Sequence, residues 1–121
     1  MATAKETEKA NVTVEYIQRG EALDYKNTGT KVIPCDTVVA VGGRIGVTGG
    51  EIKPGELGSL HMTGVFKMPK TGTDAIEMGT AGHFDGAGIT ATAAEGTTTP
   101  AGYAAAPALA DDTHVLVKLL G

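Results

Sequence analysis

The stretch Gly64 to Thr71, GVFKMPKT, carries the residues of this chain that come nearest to a recognisable chemistry. Against G-x-x-x-x-G-K-[ST], the loop that wraps the phosphates of a nucleotide, it matches at Gly64, Lys70 and Thr71 and departs at Pro69, where the second glycine belongs. A phosphate loop works because backbone N–H groups converge on the anion and a helix starts directly after it. Pro69 has no N–H to offer, Val65 to Met68 read as a strand, and Thr71 is followed by Gly-Thr-Asp rather than a helix start. Lys67 and Lys70 are then expected as solvated residues at the end of a strand that Pro69 closes.

Other candidates for chemistry fare no better. The glycine pairs of VGGRIGVTGG lack the G-x-G-x-x-G spacing of a dinucleotide site and flank runs too short for its helix. They read as hairpin turns joining DTVVAV to RIGV. His61, His83 and His114 lie far apart, none at metal-ligand spacing with another His or with the single cysteine, Cys35. Asp111 and Asp112 precede a strand and read as a polar turn. With Ser59 the only serine, no Ser-His-Asp set is suggested. No catalytic activity, cofactor or metal is expected.

The elements that position these residues are short. NVTVEYIQ, from Asn11, alternates, with Val12, Val14 and Tyr16 on one face and Thr13 and Glu15 on the other, the period of a half-buried strand. THVLVKLL repeats the pattern near the other end, with Val115, Val117 and Leu119 sharing a face. Between them DTVVAV, RIGV, LGSLHM, GVFKM, AGHFD and GITATA are punctuated by glycine about every ten residues, the rhythm of a β-sandwich or barrel. Thr73 to Gly79 is the one candidate for a helical turn. Gly86 to Ala110, rich in Ala, Gly and Thr, reads either as a long loop or as slim strands packed close to other backbone. The predicted fold is all-β, of short antiparallel strands with at most one or two helical turns, as a single domain over residues 12–121 behind a mobile arm, 1–11.

Composition sets limits on partners. In 121 residues there are 18 Gly and 5 Pro, and aromatics are only 4% with no Trp, so Val, Ile, Leu, Ala and Met must build a thin core. Self-association would add burial that so small a chain lacks, and a homo-oligomer, dimer or trimer, is expected. Ten basic residues, scattered, against 14 acidic give a net charge of -4, which argues against nucleic acid as a partner. No segment approaches the roughly 20 apolar residues of a membrane helix, and the charged start MATAKETEKA has no signal-peptide core. The protein is expected to be made and kept in a cytosol-like compartment, clear of membranes. Cys35 is expected as a small buried or half-buried strand residue.

Taken in order, GEALDYKNTG and PCDTVVAVGGRIGVTGGEIKPGELGSLHMTGVFKMPK resemble the small phage capsid cement, or decoration, proteins. The elements that carry the resemblance are a G-x-x-x-D-Y opening at Gly20 to Tyr25, a V-V-x-V-G-x-x-x-G-V hairpin at Val38 to Val47, an I-x-x-G-x-x-G turn at Ile52 to Gly58, and a G-V-F-x-x-P-K strand end at Gly64 to Lys70. Later segments at Gly79 to Asp85, Ala101 to Ala104 and Val115 to Leu119 are similar to the rest of that pattern, so the resemblance spans residues 15 to 121. Two features differ: the charged arm before Asn11 is longer than such proteins carry, and Leu is missing before Gly102.

The resemblance implies that Gly64, Val65, Phe66, Pro69 and Lys70 are a structural signature rather than a phosphate site. It also implies a virion protein on the outer surface of the expanded head, bridging subunits of the major capsid protein lattice and hardening the shell against packaged DNA. The arm residues Ala2, Thr3, Ala4, Lys5, Glu6, Thr7, Glu8, Lys9 and Ala10 are then the candidate capsid contacts, ordering as they bind. The alternative is a β-sandwich that binds a ligand or glycan on a phage fibre or tail. Such a site usually displays several aromatics, and Tyr16, Tyr25, Tyr103, Phe66 and Phe84 are all there are, most of them needed in the core.

Overall fold

The computed structural model describes residues 12–120. Its strands are β1 (Ala22–Lys26), β2 (Val38–Val41), β3 (Arg44–Thr48), β4 (Leu57–His61), β5 (Thr63–Pro69), β6 (Ala81–Phe84), β7 (Ile89–Thr90), β8 (Thr99–Ala104) and β9 (His114–Leu120). They form two antiparallel sheets, one ordered β1-β4-β3-β2 and the other β5-β9-β8-β6-β7. Among the described residues there is no helix, as expected of an all-β chain.

Local chemistry explains the connections. Gly42 and Gly43 make a two-residue turn between Val41 and Arg44, with Gly42 at φ 59°, a geometry that costs a glycine little and suits a tight hairpin. Met62 alone separates β4 from β5 and carries the chain from one sheet to the other; its side chain is buried and its N–H donates to the Glu21 carbonyl at 2.8 Å. The long loop after β1 is organised by buried Asn27. Its Nδ2 donates to the carbonyls of Lys31 (2.8 Å) and Ile52 (3.0 Å), and its Oδ1 accepts from Gly29 N–H. Thr48 is wholly buried at the end of β3. Its hydroxyl donates to the Pro34 carbonyl and accepts from Thr37 N–H, holding residues 34–37 against the sheet.

The two sheets share one core. Ile45 and Val47 of β3 meet Met68, Ile89, Ala101, Ala104, Val115, Val117 and Leu119 of the second sheet, with Val38, Phe66 and Phe84 packed at its margin. The alternation read from THVLVKLL is present in β9, where Val115, Val117 and Leu119 are buried and the residues between them are exposed.

Several expectations are corrected. Residues 12–19 form no strand, and Val12, Val14, Tyr16 and Ile17 are exposed, because none of the described strands lies alongside to pair with them. Thr73 to Gly79 is not helical; Ile76 instead bridges to Ala108, exchanging backbone hydrogen bonds in both directions, and is buried. Cys35 is exposed in a turn rather than packed in a strand, beside Asp36 at φ 60°. Both readings of Gly86 to Ala110 hold in part. Thr99 to Ala104 is a slim strand, whereas Ala91 to Thr98 is loop.

Gly102 explains why that strand is slim. It lies opposite Leu119 at φ 146°, and a Cβ there would run into the Lys118 carbonyl oxygen. Gly102→Ala should therefore destabilise the fold by about 3 kcal/mol or more, through forced separation of β8 and β9. Gly43→Ala, which meets open space, should change stability by less than about 0.5 kcal/mol. Chemical denaturation of the two variants checks both.

Candidate functional site

Two of the three polar side chains of GVFKMPKT, Lys70 and Thr71, are engaged within the fold. Lys67 is exposed as expected, but Lys70 is not the solvated residue its sequence context suggests: it is buried, and its Nζ donates to the Ala110 carbonyl at 3.1 Å. The reason lies in the backbone. Lys70 N–H donates to Thr113 and the residue bridges Ile89, so the chain is drawn inward after Pro69 and the long side chain reaches a carbonyl along the loop before β9. Thr71 Oγ1 donates to Asp85 Oδ2 at 2.7 Å.

Asp85 caps its own turn as well, Oδ1 accepting from the N–H groups of Ala87 and Gly88. The Thr71 hydroxyl first, and then these backbone donors, hold its carboxyl below the ordinary aspartate value. Gly64 takes φ 120° where β5 begins, and Phe66 is half-buried at the core margin, its ring 6.4 Å from that of His61. These residues fasten β5 to the β6–β7 turn and to the approach to β9.

The other candidates are dispersed. His61 lies in β4, His83 in β6, and His114 opens β9 with Nδ1 2.9 Å from Thr113 Oγ1. No group of three metal-ligating side chains gathers among the described residues. Asp112 accepts from Leu109 N–H at 2.7 Å, the turn role expected of it. Residues 2–10, expected to contact a partner, lie outside the described residues.

What the structure does assemble is a surface on the second sheet. The outward residues of β5 and β9 pair directly: Thr63 with Leu120, Val65 with Lys118, Lys67 with Leu116, and Pro69 with His114. Tyr103 of β8 lies on the other side of Lys118, whose Nζ sits 5.6 Å from the ring centroid, within cation–π range. Leu120, at the end of β9, is 61% exposed, and Val65, on the edge strand β5, 55%. None of the three strands contains Asp or Glu, although the chain carries -4 overall, so Lys67 and Lys118 give this face a local positive charge. Beside it Lys67, Ala106, Pro107, His114 and Leu116 line a shallow depression of about 160 Å³.

A flat apolar sheet face with two cations and no convergent polar groups cannot orient a small molecule, but it suits a broad partner surface. Sequence reading did not single this face out. The signal was there in HVLVKLL, whose outward positions hold Leu116 and Leu120 where a solvated strand would carry polar residues.

Thermal or chemical unfolding of wild type and Asp85→Asn across pH tests the clamp. Because folding lowers the Asp85 pKa, its contribution is full above the ordinary value of 3.8 and is lost as pH falls below it. The stability gap between the two proteins should be present at neutral pH and close toward strong acid.

A family model described as phage cement protein matches residues 17–119 of the chain. No curated protein and no solved structure matches it.

Proposed function

The chain belongs to the phage cement protein family, which makes it a structural component associated with the phage capsid, and from that premise we propose that it binds the outside of the expanded head and bridges neighbouring major capsid protein subunits. The observation that carries the contact side of this reading is the acid-free, apolar outer face of β5, β9 and β8, with Lys67 and Lys118 at its centre. A lattice surface presenting carboxylates around an apolar centre would match it. Residues 2–10 are the further candidate contacts in this reading.

The role needs neither a catalyst nor a cofactor. A protein that binds the assembled shell and not dispersed subunits stabilises the shell by mass action, about 2.7 kcal/mol per site at a concentration one hundred times Kd. Repeated over the lattice, that stabilisation opposes the pressure of packaged DNA. An aromatic-poor core suits assembly as a dimer or trimer, which would place several binding faces on one particle.

Co-sedimentation with heads that lack the protein tests the reading. Binding should saturate on expanded heads and be absent on unexpanded ones. Binding to neither form overturns the proposal. Lys67→Glu with Lys118→Glu should weaken binding at least about tenfold, or 1.4 kcal/mol, more at low salt than at high. Deletion of residues 2–10 should weaken it while leaving the unfolding transition unchanged.

A further inference from the structure

Residues 12–18 pose a problem that the fold does not solve. They carry the alternation of a strand, yet they make no backbone pairing with any described residue, and Val12, Val14, Tyr16 and Ile17 are 74%, 90%, 79% and 76% exposed. Four large apolar side chains in six residues, standing in solvent, form a strand without a sheet.

The same chain holds an edge without a strand. Val41 and Arg44 flank a two-residue turn and so form a hydrogen-bonded pair, after which pairs alternate, leaving the N–H and C=O groups of Ala40 and Val38 pointing off the free edge of β2. Thr48 N–H donating to Thr37 keeps that phase. Strand edges are ordinarily blunted by charge, proline or a bulge. The VVAV of β2 has no charge and no proline. The remaining edges are protected: β1 carries Asp24 and Lys26, β5 carries Gly64 at φ 120°, Lys67 and Pro69, and β7 has two residues. Next to β2 lies a cleft of about 280 Å³ lined by Val38, Val47, Phe66 and Met68, with Asp36 and Lys67 at its rim. An added strand could lower alternate side chains into it.

The segment as a whole cannot lie along this edge in its own molecule, because its Gln18 end falls short. Ala22, His61, Val47 and Val38 stand on one rung of the first sheet. A strand added beyond β2 would therefore sit four strand spacings from Ala22, about 19 Å. Gln18 is four residues from Ala22, a reach of about 14 Å when fully extended. A second copy has no such restriction. The lengths also agree, since residues 12–18 extend over about 23 Å and the edge from Asp36 to Val41 over about 20 Å.

We propose that residues 12–18 of one copy add as a strand to the free edge of β2 in a second copy, their alternate apolar side chains covering the cleft beside it. This deepens the expectation of a homo-oligomer and is independent of head binding. It is read on the isolated protein, so either proposal can fail without the other.

Hydrogen exchange and sedimentation of the full chain, over a concentration series, test it. The amides of residues 12–18 and of Val38 and Ala40 should slow at least tenfold as concentration rises and larger particles appear. Val14→Asp with Tyr16→Asp, both at exposed positions, should remove the protection and the association. Ala40→Pro should do the same from the acceptor side, with Ala40→Lys as the variant that leaves the backbone whole. Mixing donor-defective with acceptor-defective copies should restore a heterocomplex, which a symmetric contact between other faces would not do. Protection at every concentration without association would mean pairing within one chain and would overturn the proposal. Protection that appears only on heads would assign the strand to the capsid protein and also overturn it, as would its absence throughout.

Discussion

The approach of β8 to β9 at Gly102 is the constraint on which the second sheet depends. With no Trp and few aromatic rings, the chain cannot fill a wide space between backbones, and it closes the space instead. Gly102 lets β8 lie where a Cβ would strike the Lys118 carbonyl, and small Ala101 and Ala104 are buried on either side of it. Gly58 plays a related part in the first sheet, where a Cβ would collide with the buried Ile52 side chain. Close packing makes up for missing ring volume, since dispersion and burial depend on contact rather than on residue size. The core that results is continuous from β3 through β8 to β9.

The pieces of the fold legible in the sequence were those whose periodicity and turn chemistry agreed. THVLVKLL alternates and lies beside two partners; VVAV-GG-RIGV carries its own turn. What could not be read was whether a patterned segment would find a partner. NVTVEYIQ alternates as well as any strand here, yet residues 12–18 form none, because alternation describes a surface that fits a sheet and says nothing of where the sheet is. Lys70 and Cys35 went astray for a similar reason. Lys70 is buried by the loop before β9, and Cys35 is exposed by a turn set through Thr48, far along the chain in each case.

The same limit governed the proposed contact surface. Chemistry-bearing motifs drew attention to GVFKMPKT, whose lysine and threonine turned out to be bonded to Ala110 and Asp85 within the fold. The outer face of β5, β9 and β8 has no motif; it emerges from three separate strands, with four outward residues on each of β5 and β9 and Tyr103 on β8. Only its register, Val65 beside Lys118 beside Tyr103, makes it a surface. A face built by pairing has no local signature, so a motif reading of the sequence could not locate it.

A chain that folds as its own module and is also a capsid component has to separate the burial that folds it from the burial that joins it. Here the division follows the sheets. Inward positions of β9 are saturated by β3 and β8, and the buried side-chain donors and acceptors among the described residues are satisfied, so the folded core has little left to offer a partner. Outward Val65 and Leu120, and the free edge of β2, remain unspent. Such features destabilise nothing in isolation because they lie outside the core, and the net charge of -4 opposes indiscriminate association. They become favourable only where a matching surface is presented at high local concentration, as on a repeating lattice, where many weak contacts sum. Moderate apolar exposure on a firmly closed core is therefore a consistent physical solution for a module whose proposed role is to be held in place.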